Sequence, residues 1–410
     1  MLARWVQMAP GGGTEARAVF QGESCPSAEI DGAPVAMQTR AAPDAKFPVT
    51  LCSLALPAAA HRLTVAGSDL PLPVPAPSRI LVLGDTGCRI KINPHPSLLQ
   101  RLEAIIAPKT IRAIQACNDP GAWPFPAVAA AAAKLKPDLV IHVGDYLYRE
   151  SACPEADASC AGSPWGDNWK SWAADFFSPA KPLLEAAPWV IVRGNHEECV
   201  RAGAGFLRLL GPLAFVEGAP CAAHTPPYAV SLGSINLVVM DNASAVDRDP
   251  SDALVNTYRS DFEALPSLSS TPTWLAMHHP IWGVVKGPLG IVAGGNETLM
   301  AAEAPGGIPS PVSLMLAGHI HSFEAMDYES GLPPQLIVGE GGDMLDAAPA
   351  NLTGRTVGAA RIAHGLSLPG YGFLLMTRDG GRWTVDVYDA TGTVERRCVV
   401  AERSIDCAKD

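Results

Sequence analysis

The sequence predicts an α/β fold with helices flanking sheets, preceded by a small β-rich unit. Three observations carry that prediction. Five short apolar runs each stop at glycine or at a polar residue able to bind metal, helix-prone segments lie between some of them, and the first 70 residues break into β-prone pieces.

Within residues 1–70, the stretches 16–20, 48–54 and 61–66 favour strands, and turns such as Gly11-Gly12-Gly13 and Asp31-Gly32 separate them. This reads as a small β-sandwich domain. Pro71, Pro73, Pro75 and Pro77 then alternate with other residues. Each ring fixes φ and biases its predecessor towards extended geometry, so residues 71–77 are expected to be a semi-rigid linker and 78–410 the main domain.

The five runs follow. Ile80-Leu81-Val82-Leu83 precedes Gly84-Asp85, Leu139-Val140-Ile141-His142-Val143 precedes Gly144-Asp145, and Trp189-Val190-Ile191-Val192 precedes Arg193-Gly194-Asn195-His196. Trp274-Leu275-Ala276-Met277 precedes His278-His279-Pro280, and Leu314-Met315-Leu316-Ala317 precedes Gly318-His319-Ile320-His321. Runs this short and apolar are strands covered on both faces. Helices are expected over 96–106, 126–136 and 171–185, and the tail from Gly372 reads as an antiparallel meander turning at Asp379-Gly380-Gly381 and Thr391-Gly392. Ligands of such folds bind beyond the carboxyl ends of the strands, so the five polar termini are expected to converge.

Length and composition bound the function. The 410 residues, 48% hydrophobic and 17% charged, suffice for one large domain or two with ample core. The 30 basic and 41 acidic residues give a formal charge of −11 without any basic run, which argues against binding a nucleic-acid polymer or an anionic membrane. No apolar stretch approaches the ~20 residues of a membrane span. The ten cysteines are even in number and contain no C-x-x-C pair, favouring disulfides in an oxidising compartment over structural zinc. The local pairs Cys153/Cys160 and Cys398/Cys407 are expected, the remaining partners staying open. The cysteines thus lead to the expectation of a periplasmic or secreted protein, and because the N-terminus carries no signal-peptide core, its signal is expected to lie outside this chain.

Singly, each strand-end motif is weak: Gly-Asp is commonly a turn, and His319/His321 could be a surface pair. Together they present Asp85, Asp145, Tyr148, Asn195, His278, His319 and His321, which is a ligand inventory for two metal ions. Asp145 and Tyr148 are three apart and point to one side of a helical turn; His319 and His321 share a face when extended. Glycines 84, 144, 194 and 318 leave room where a Cβ would crowd the ions.

Gly84-Asp85-Thr86-Gly87, Gly144-Asp145-Tyr146-Leu147-Tyr148, Gly194-Asn195-His196-Glu197, His278-His279-Pro280 and Gly318-His319-Ile320-His321 resemble the five motifs of the calcineurin-like metallophosphoesterases, more narrowly of their purple acid phosphatase branch. Many superfamily members carry Asp-x-His in the first motif. Here Gly87 occupies the histidine position and Tyr148 is present instead, as in purple acid phosphatases. The resemblance covers roughly residues 78 to 390 and implies a two-sheet α/β/β/α sandwich. It further implies that Asp85, Tyr148 and His321 hold one ion, Fe(III), and that Asn195, His278 and His319 hold a second, Zn, Fe(II) or Mn, with Asp145 bridging. A tyrosinate is a hard anionic donor suited to a ferric ion.

The expected chemistry follows. Two ions roughly 3.5–4 Å apart acidify a bound water and clamp the phosphoryl oxygens, so a metal-bound hydroxide attacks phosphorus in line with the leaving group. His196 is free to hydrogen-bond the phosphoryl group or to protonate the leaving alkoxide, and His279 either assists or packs. The expected substrate is a small phosphomonoester; the alternative is a phosphodiester, nucleotide or phospholipid head group, acted on by the same centre. A non-catalytic binder is disfavoured because no ligand position is missing.

Other residues are read plainly. Trp165, Trp169, Trp172, Phe176 and Phe177 could form a substrate wall but read as core by spacing, His142 is a core histidine, and Asp241-Asn242, ending the apolar run 235–240, could stand behind the ligands. Asn242, Asn296 and Asn351 head glycosylation sequons, and Glu340-Gly341-Gly342-Asp343 is a turn near the site without an assigned role.

Overall fold

A computed structural model describes residues 1–93, 112–269, 272–287, 292–303, 306–329 and 331–407. The helix expected over 96–106 lies outside the described residues.

Two large sheets pack face to face. The first has eleven strands in the order Ser404–Asp406, Val394–Ala401, Arg382–Asp389, Gly372–Asp379, Arg79–Leu83, Leu139–His142, Trp189–Ile191, Ala3–Met8, Thr14–Phe20, Thr50–Ala55 and Gln38–Ala41. The second has eight: Tyr228–Ser231, Asn236–Val239, Thr273–Ala276, Val312–Ala317, Gln335–Val338, Phe323–Tyr328, Ala360–Leu368 and Thr356–Val357.

Strand alternation sorts the apolar residues into layers. Ile80, Val82, Ile141 and Val190 face the second sheet, where they meet Leu237, Trp274, Leu316 and Val338. Leu81, Leu83, Val140 and Ile191 face the other way, onto Val128 and Ala132 of the helix Phe125–Lys134 and onto Trp172 and Phe176. On the outer face of the second sheet, Val255, Tyr258, Phe262 and Leu265 of the helix Asp252–Leu268 cover Val238, Leu275 and Met315. Their spacing is one helical face, and Ser251 caps the helix by accepting from the Leu254 N–H at 3.4 Å. The result is the expected four-layer α/β/β/α arrangement. The expected helix over 171–185 is broken into Trp169–Trp172, a π-helical turn Ala173–Phe177 and Lys181–Leu184.

Strands Arg79–Leu83, Leu139–His142 and Trp189–Ile191 run parallel in one sheet, and Asn236–Val239, Thr273–Ala276, Val312–Ala317 and Gln335–Val338 in the other. Parallel strands place successive carboxyl ends on one side, which is how motifs distant in sequence gather. The tail forms the expected antiparallel meander, turning at Gly380 and Gly392 with positive φ.

The N-terminal region packs two four-stranded sheets on each other. Val6, Ala18 and Leu54 of one meet Ala28, Leu63 and Val65 of the other. One of these sheets is also part of the eleven-stranded sheet, because Ala3–Met8 pairs in parallel with Trp189–Ile191. Buried Arg17 reinforces the join by donating to the carbonyls of Leu209 at 3.2 Å and Gly211 at 2.9 Å. The proline-rich segment 71–77 thus lies between strands, while backbone pairing runs from one region into the other.

All ten cysteines are paired, as Cys25–Cys52, Cys88–Cys117, Cys153–Cys160, Cys199–Cys221 and Cys398–Cys407. Both local pairs expected from sequence are among them. Among the described residues no helix is long and apolar enough to cross a membrane.

Candidate metal centre

The loops leaving the parallel strands are tightly bent. Asp85, Asp145 and His319 adopt φ of 55°, 60° and 70°, the left-handed region that non-glycine residues enter only where surroundings enforce it. Glu197 is one enforcer. Its buried carboxylate accepts from the backbone N–H groups of Asp145, Tyr146, Leu147 and Gly194 at 2.9–3.1 Å, tying the second and third motif loops together. The first loop is held to the second by the Asp85 and Thr86 N–H groups donating to the carbonyls of Gly144 and Asp145 at 3.0 and 3.1 Å.

All seven expected ligands meet. The Tyr148 hydroxyl lies 2.9 Å from Asp85 Oδ1, 2.8 Å from Asp145 Oδ2 and 3.1 Å from His321 Nε2. Beside this group, Asn195 Oδ1 lies 2.9 Å from His278 Nε2 and 3.2 Å from His319 Nδ1, and His278 Nε2 is 3.2 Å from Asp145 Oδ2. Asp145 belongs to both halves. Each imidazole is oriented through its other nitrogen: His278 Nδ1 against the Val143 carbonyl at 2.8 Å, His321 Nδ1 against the Met344 carbonyl at 2.8 Å, and His319 Nε2 against Asp247 Oδ2 at 3.3 Å. Such partners turn the remaining lone pair towards an ion.

The donor set fits two cations. Carboxylate, phenol, amide and imidazole lone pairs converge from two sides on the shared Asp145, and this convergence calls for positive charge. Burial opposes charge on the imidazoles, yet Asp145 pulls the His278 pKa up to about 9 and Asp343 with Asp85 pulls that of His321 up to about 10. The Asn195 amide has two settings. Oxygen inward, it offers a lone pair for a cation; nitrogen inward, it donates to His278, His319 and Asp145 while accepting from Arg201 at 2.8 Å.

Glycine makes the room. A Cβ at Gly87 would lie 2.8 Å from the Tyr146 carbonyl oxygen and 2.9 Å from both Tyr148 N and Tyr148 Cδ2, so the second motif loop and its tyrosine leave no room for a side chain in this first-motif position. A Cβ at Gly144 would reach within 2.5 Å of His278 Nδ1, and one at Gly318 within 2.5 Å of Asp85 Oδ2. Gly84 differs, for its Cβ would strike Val143 Cγ2 in the core instead of a ligand.

His196 is buried, with its ring centroid 3.7 Å from that of Tyr148, Nδ1 3.0 Å from Glu150 Oε1 and Nε2 2.7 Å from Arg201 Nη2. Burial first, then Arg201, pushes its pKa down to about 3. His279 packs behind His319, the ring centroids 4.0 Å apart, with Nδ1 3.5 Å from Asp247 Oδ1. Asn242 stands behind the fourth motif: its amide donates to the His279 carbonyl at 2.8 Å and accepts from the His278 and His279 N–H groups at 2.9 and 3.1 Å. Asn242 and Asn296 are buried, so of the three sequons only Asn351 is exposed. His142 and the aromatics Trp169, Trp172, Phe176 and Phe177 are core residues, whereas Trp165 is 54% exposed.

Sequence reasoning assigned no part to Arg89, Glu150, Glu197, Arg201, Asp247 or Asp343. Asp343 lies in the Gly-Gly-Asp turn noted from sequence; its carboxylate bonds Arg89, whose guanidinium sits 4.8 Å over the Tyr148 ring. Only that turn and the Glu197 position in the third motif carried a signal.

The comparisons with known proteins agree with this geometry. Residues 78–323 match the family model for calcineurin-like phosphoesterases. No curated protein matches the sequence. Among solved structures, purple acid phosphatase PPD1 from yellow lupin (Lupinus luteus) seeds is similar in fold, with a TM-score of 0.57 at 12% identity over 97% of this chain and 74% of that one. PhoD is similar with a TM-score of 0.55 at 11% identity, over 100% of this chain and 92% of that one. With five motif loops meeting at one centre and the family match spanning the three central parallel strands of the first sheet, four strands of the second and more than half of the chain, the chain belongs to the calcineurin-like phosphoesterase family.

Proposed function

We propose that this protein is a binuclear metal-dependent phosphomonoesterase whose centre is similar to that of purple acid phosphatases. In this reading Asp85, Tyr148 and His321 hold Fe(III), Asn195, His278 and His319 hold Zn, Fe(II) or Mn, and Asp145 is shared. The observation that carries it is the Tyr148 hydroxyl, 2.8–3.1 Å from Asp85, Asp145 and His321, over a Gly87 that can bear no side chain.

Bound there, the ions supply Lewis acidity, acidifying a water and neutralising the phosphoryl oxygens. The water oxygen bonds to phosphorus, the ester P–O bond breaks, and the alcohol leaves with a proton. His196 lies beside Asp145 between Glu150 and Arg201, and exchanging one of these two contacts for the substrate frees a ring nitrogen to hydrogen-bond the phosphoryl group or to serve the leaving alkoxide. His279 is a positioning residue, acting through Asp247 and His319. The five disulfides support a periplasmic or secreted location.

A diesterase reading is favoured by one feature: the centre opens on both sides of His319, into cavities of about 260 and 590 Å³, which leaves space for two substituents on phosphorus. Initial rates with p-nitrophenyl phosphate and bis-p-nitrophenyl phosphate, on protein loaded with iron and with zinc or manganese, decide between them. Faster monoester turnover is expected; faster diester turnover selects the alternative, and no turnover in any metal form overturns both.

Iron-loaded protein is expected to absorb visible light through phenolate-to-iron charge transfer, and Tyr148→Phe to bleach it. An absorption spectrum of wild type and variant at equal iron content checks this. A colourless, active, iron-loaded wild type would remove Tyr148 from the ligand set.

A further inference from the structure

Lys91 lies on the short strand Ile90–Ile92 and lines the smaller cavity beside Asp145, His196 and His321. Its side chain is half-buried, and among the described residues no hydrogen bond or ion-pair contact engages its ammonium. The other two cations of this wall are matched. Arg89 bonds Asp343, with Nε 2.8 Å from Oδ2, and Arg201 bonds Glu150, with Nε 2.6 Å from Oε1, and the Asn195 carbonyl at 3.1 Å. Three cations thus face two carboxylates on this wall. The one further acid of the cavity that is not a proposed ligand, Asp346, belongs to the wall shared with the larger cavity and caps the His321 N–H at 3.1 Å.

A half-buried ammonium without a partner costs stability. Burial lowers its pKa, Glu150 and, more weakly, Asp343 pull it back up, and Arg201 and Arg89 push it down; an anion docking beside the ammonium relieves the cost of its burial. The phosphoryl group undergoing reaction does not need Lys91, because in the reading above two metal ions already neutralise it.

We infer that Lys91, backed by Arg201 and Arg89, binds a second phosphate carried by the substrate. The substrate class is therefore a phosphate ester with a further phosphoryl group, either a diphosphate ester or a bisphosphorylated sugar. This inference rests on the phosphoesterase reading.

The test uses the metal-loaded full chain and compares wild type with Lys91→Gln and Lys91→Arg. The first measurement is the ratio of kcat/KM for adenosine diphosphate over adenosine monophosphate, and for fructose 1,6-bisphosphate over fructose 6-phosphate. The second is the binding of methylenediphosphonate relative to methylphosphonate by calorimetry. A charge-assisted hydrogen bond contributes roughly 1.5–3 kcal/mol, so Lys91→Gln is expected to lower the ratio of at least one substrate pair, and the diphosphonate advantage, by about 10-fold or more, with Lys91→Arg largely restoring both. The pair that responds identifies the source of the second phosphate. Ratios that are unchanged in both pairs while p-nitrophenyl phosphate turns over overturn the inference alone. If no ester is hydrolysed in any metal form, the phosphoesterase reading falls and this inference falls with it.

Discussion

Asp145→Asn is expected to cut phosphoester turnover by at least about 10³-fold, the scale of losing preorganised charge stabilisation at a reacting group. Bound metal is expected to fall from a pair to a single ion or none. Asp145 is the side chain that meets both halves of the centre, 2.8 Å from the Tyr148 hydroxyl and 3.2 Å from His278 Nε2. Asparagine keeps the shape but loses the charge and presents an amide nitrogen to one half. The backbone tolerates the change, since asparagine enters the left-handed region that Asp145 occupies more readily than most residues do. Metal analysis beside initial rates, with circular dichroism to verify folding, checks the outcome. Full turnover in a variant holding both ions would overturn the shared-ligand role.

Glu197→Ala is expected to destabilise the protein by at least about 3 kcal/mol and to abolish metal pairing. Four backbone N–H groups converge on this one carboxylate, from Asp145, Tyr146, Leu147 and Gly194, at a fully buried position. Each buried amide left without an acceptor costs about 1–3 kcal/mol, and together they hold two ligand-bearing loops in register. Glu197→Gln retains one oxygen acceptor and the packing volume, so it should lose less stability while still loosening the Asp145 loop. Denaturant unfolding of both variants, with metal stoichiometry, separates the two effects. An alanine variant as stable as wild type would mean that other acceptors replace the carboxylate.

The ligand positions were legible because each follows its strand within a few residues. An apolar run ending in Gly-Asp, Gly-Asn-His, His-His or Gly-His-x-His is a local signal, and the carboxyl ends of parallel strands are where such signals meet. The pairing of Tyr148 with a bare Gly87 was legible as a joint departure from the wider superfamily, and the geometry adds that a Cβ at 87 would press on the Tyr146 carbonyl at 2.8 Å and on Tyr148 N and Cδ2 at 2.9 Å. The helix Asp252–Leu268 also carries local signals, the Ser251 cap and one apolar face.

The supporting residues were not legible. Arg89 and Asp343 meet across 254 positions, His319 and Asp247 across 72, and Glu150 and Arg201 across 51. An isolated arginine or aspartate in a loop has no periodicity that announces its partner. The continuity of the N-terminal sheet with the main one is of the same kind, since it depends on Gln7 pairing with Trp189.

The sequence by itself determined the α/β layering, the seven polar side chains at the strand ends, the two short disulfides and the phosphoesterase motifs, because each is written in neighbouring residues. Only the tertiary structure decided which nitrogen of each histidine faces the centre, how Glu197 fastens two loops, how the six cysteines outside the two local pairs join as Cys25–Cys52, Cys88–Cys117 and Cys199–Cys221, and that Lys91 lines the cavity beside Asp145 and His196. Those features are set by long-range packing and by the balance of buried charge, which no local stretch of chain contains.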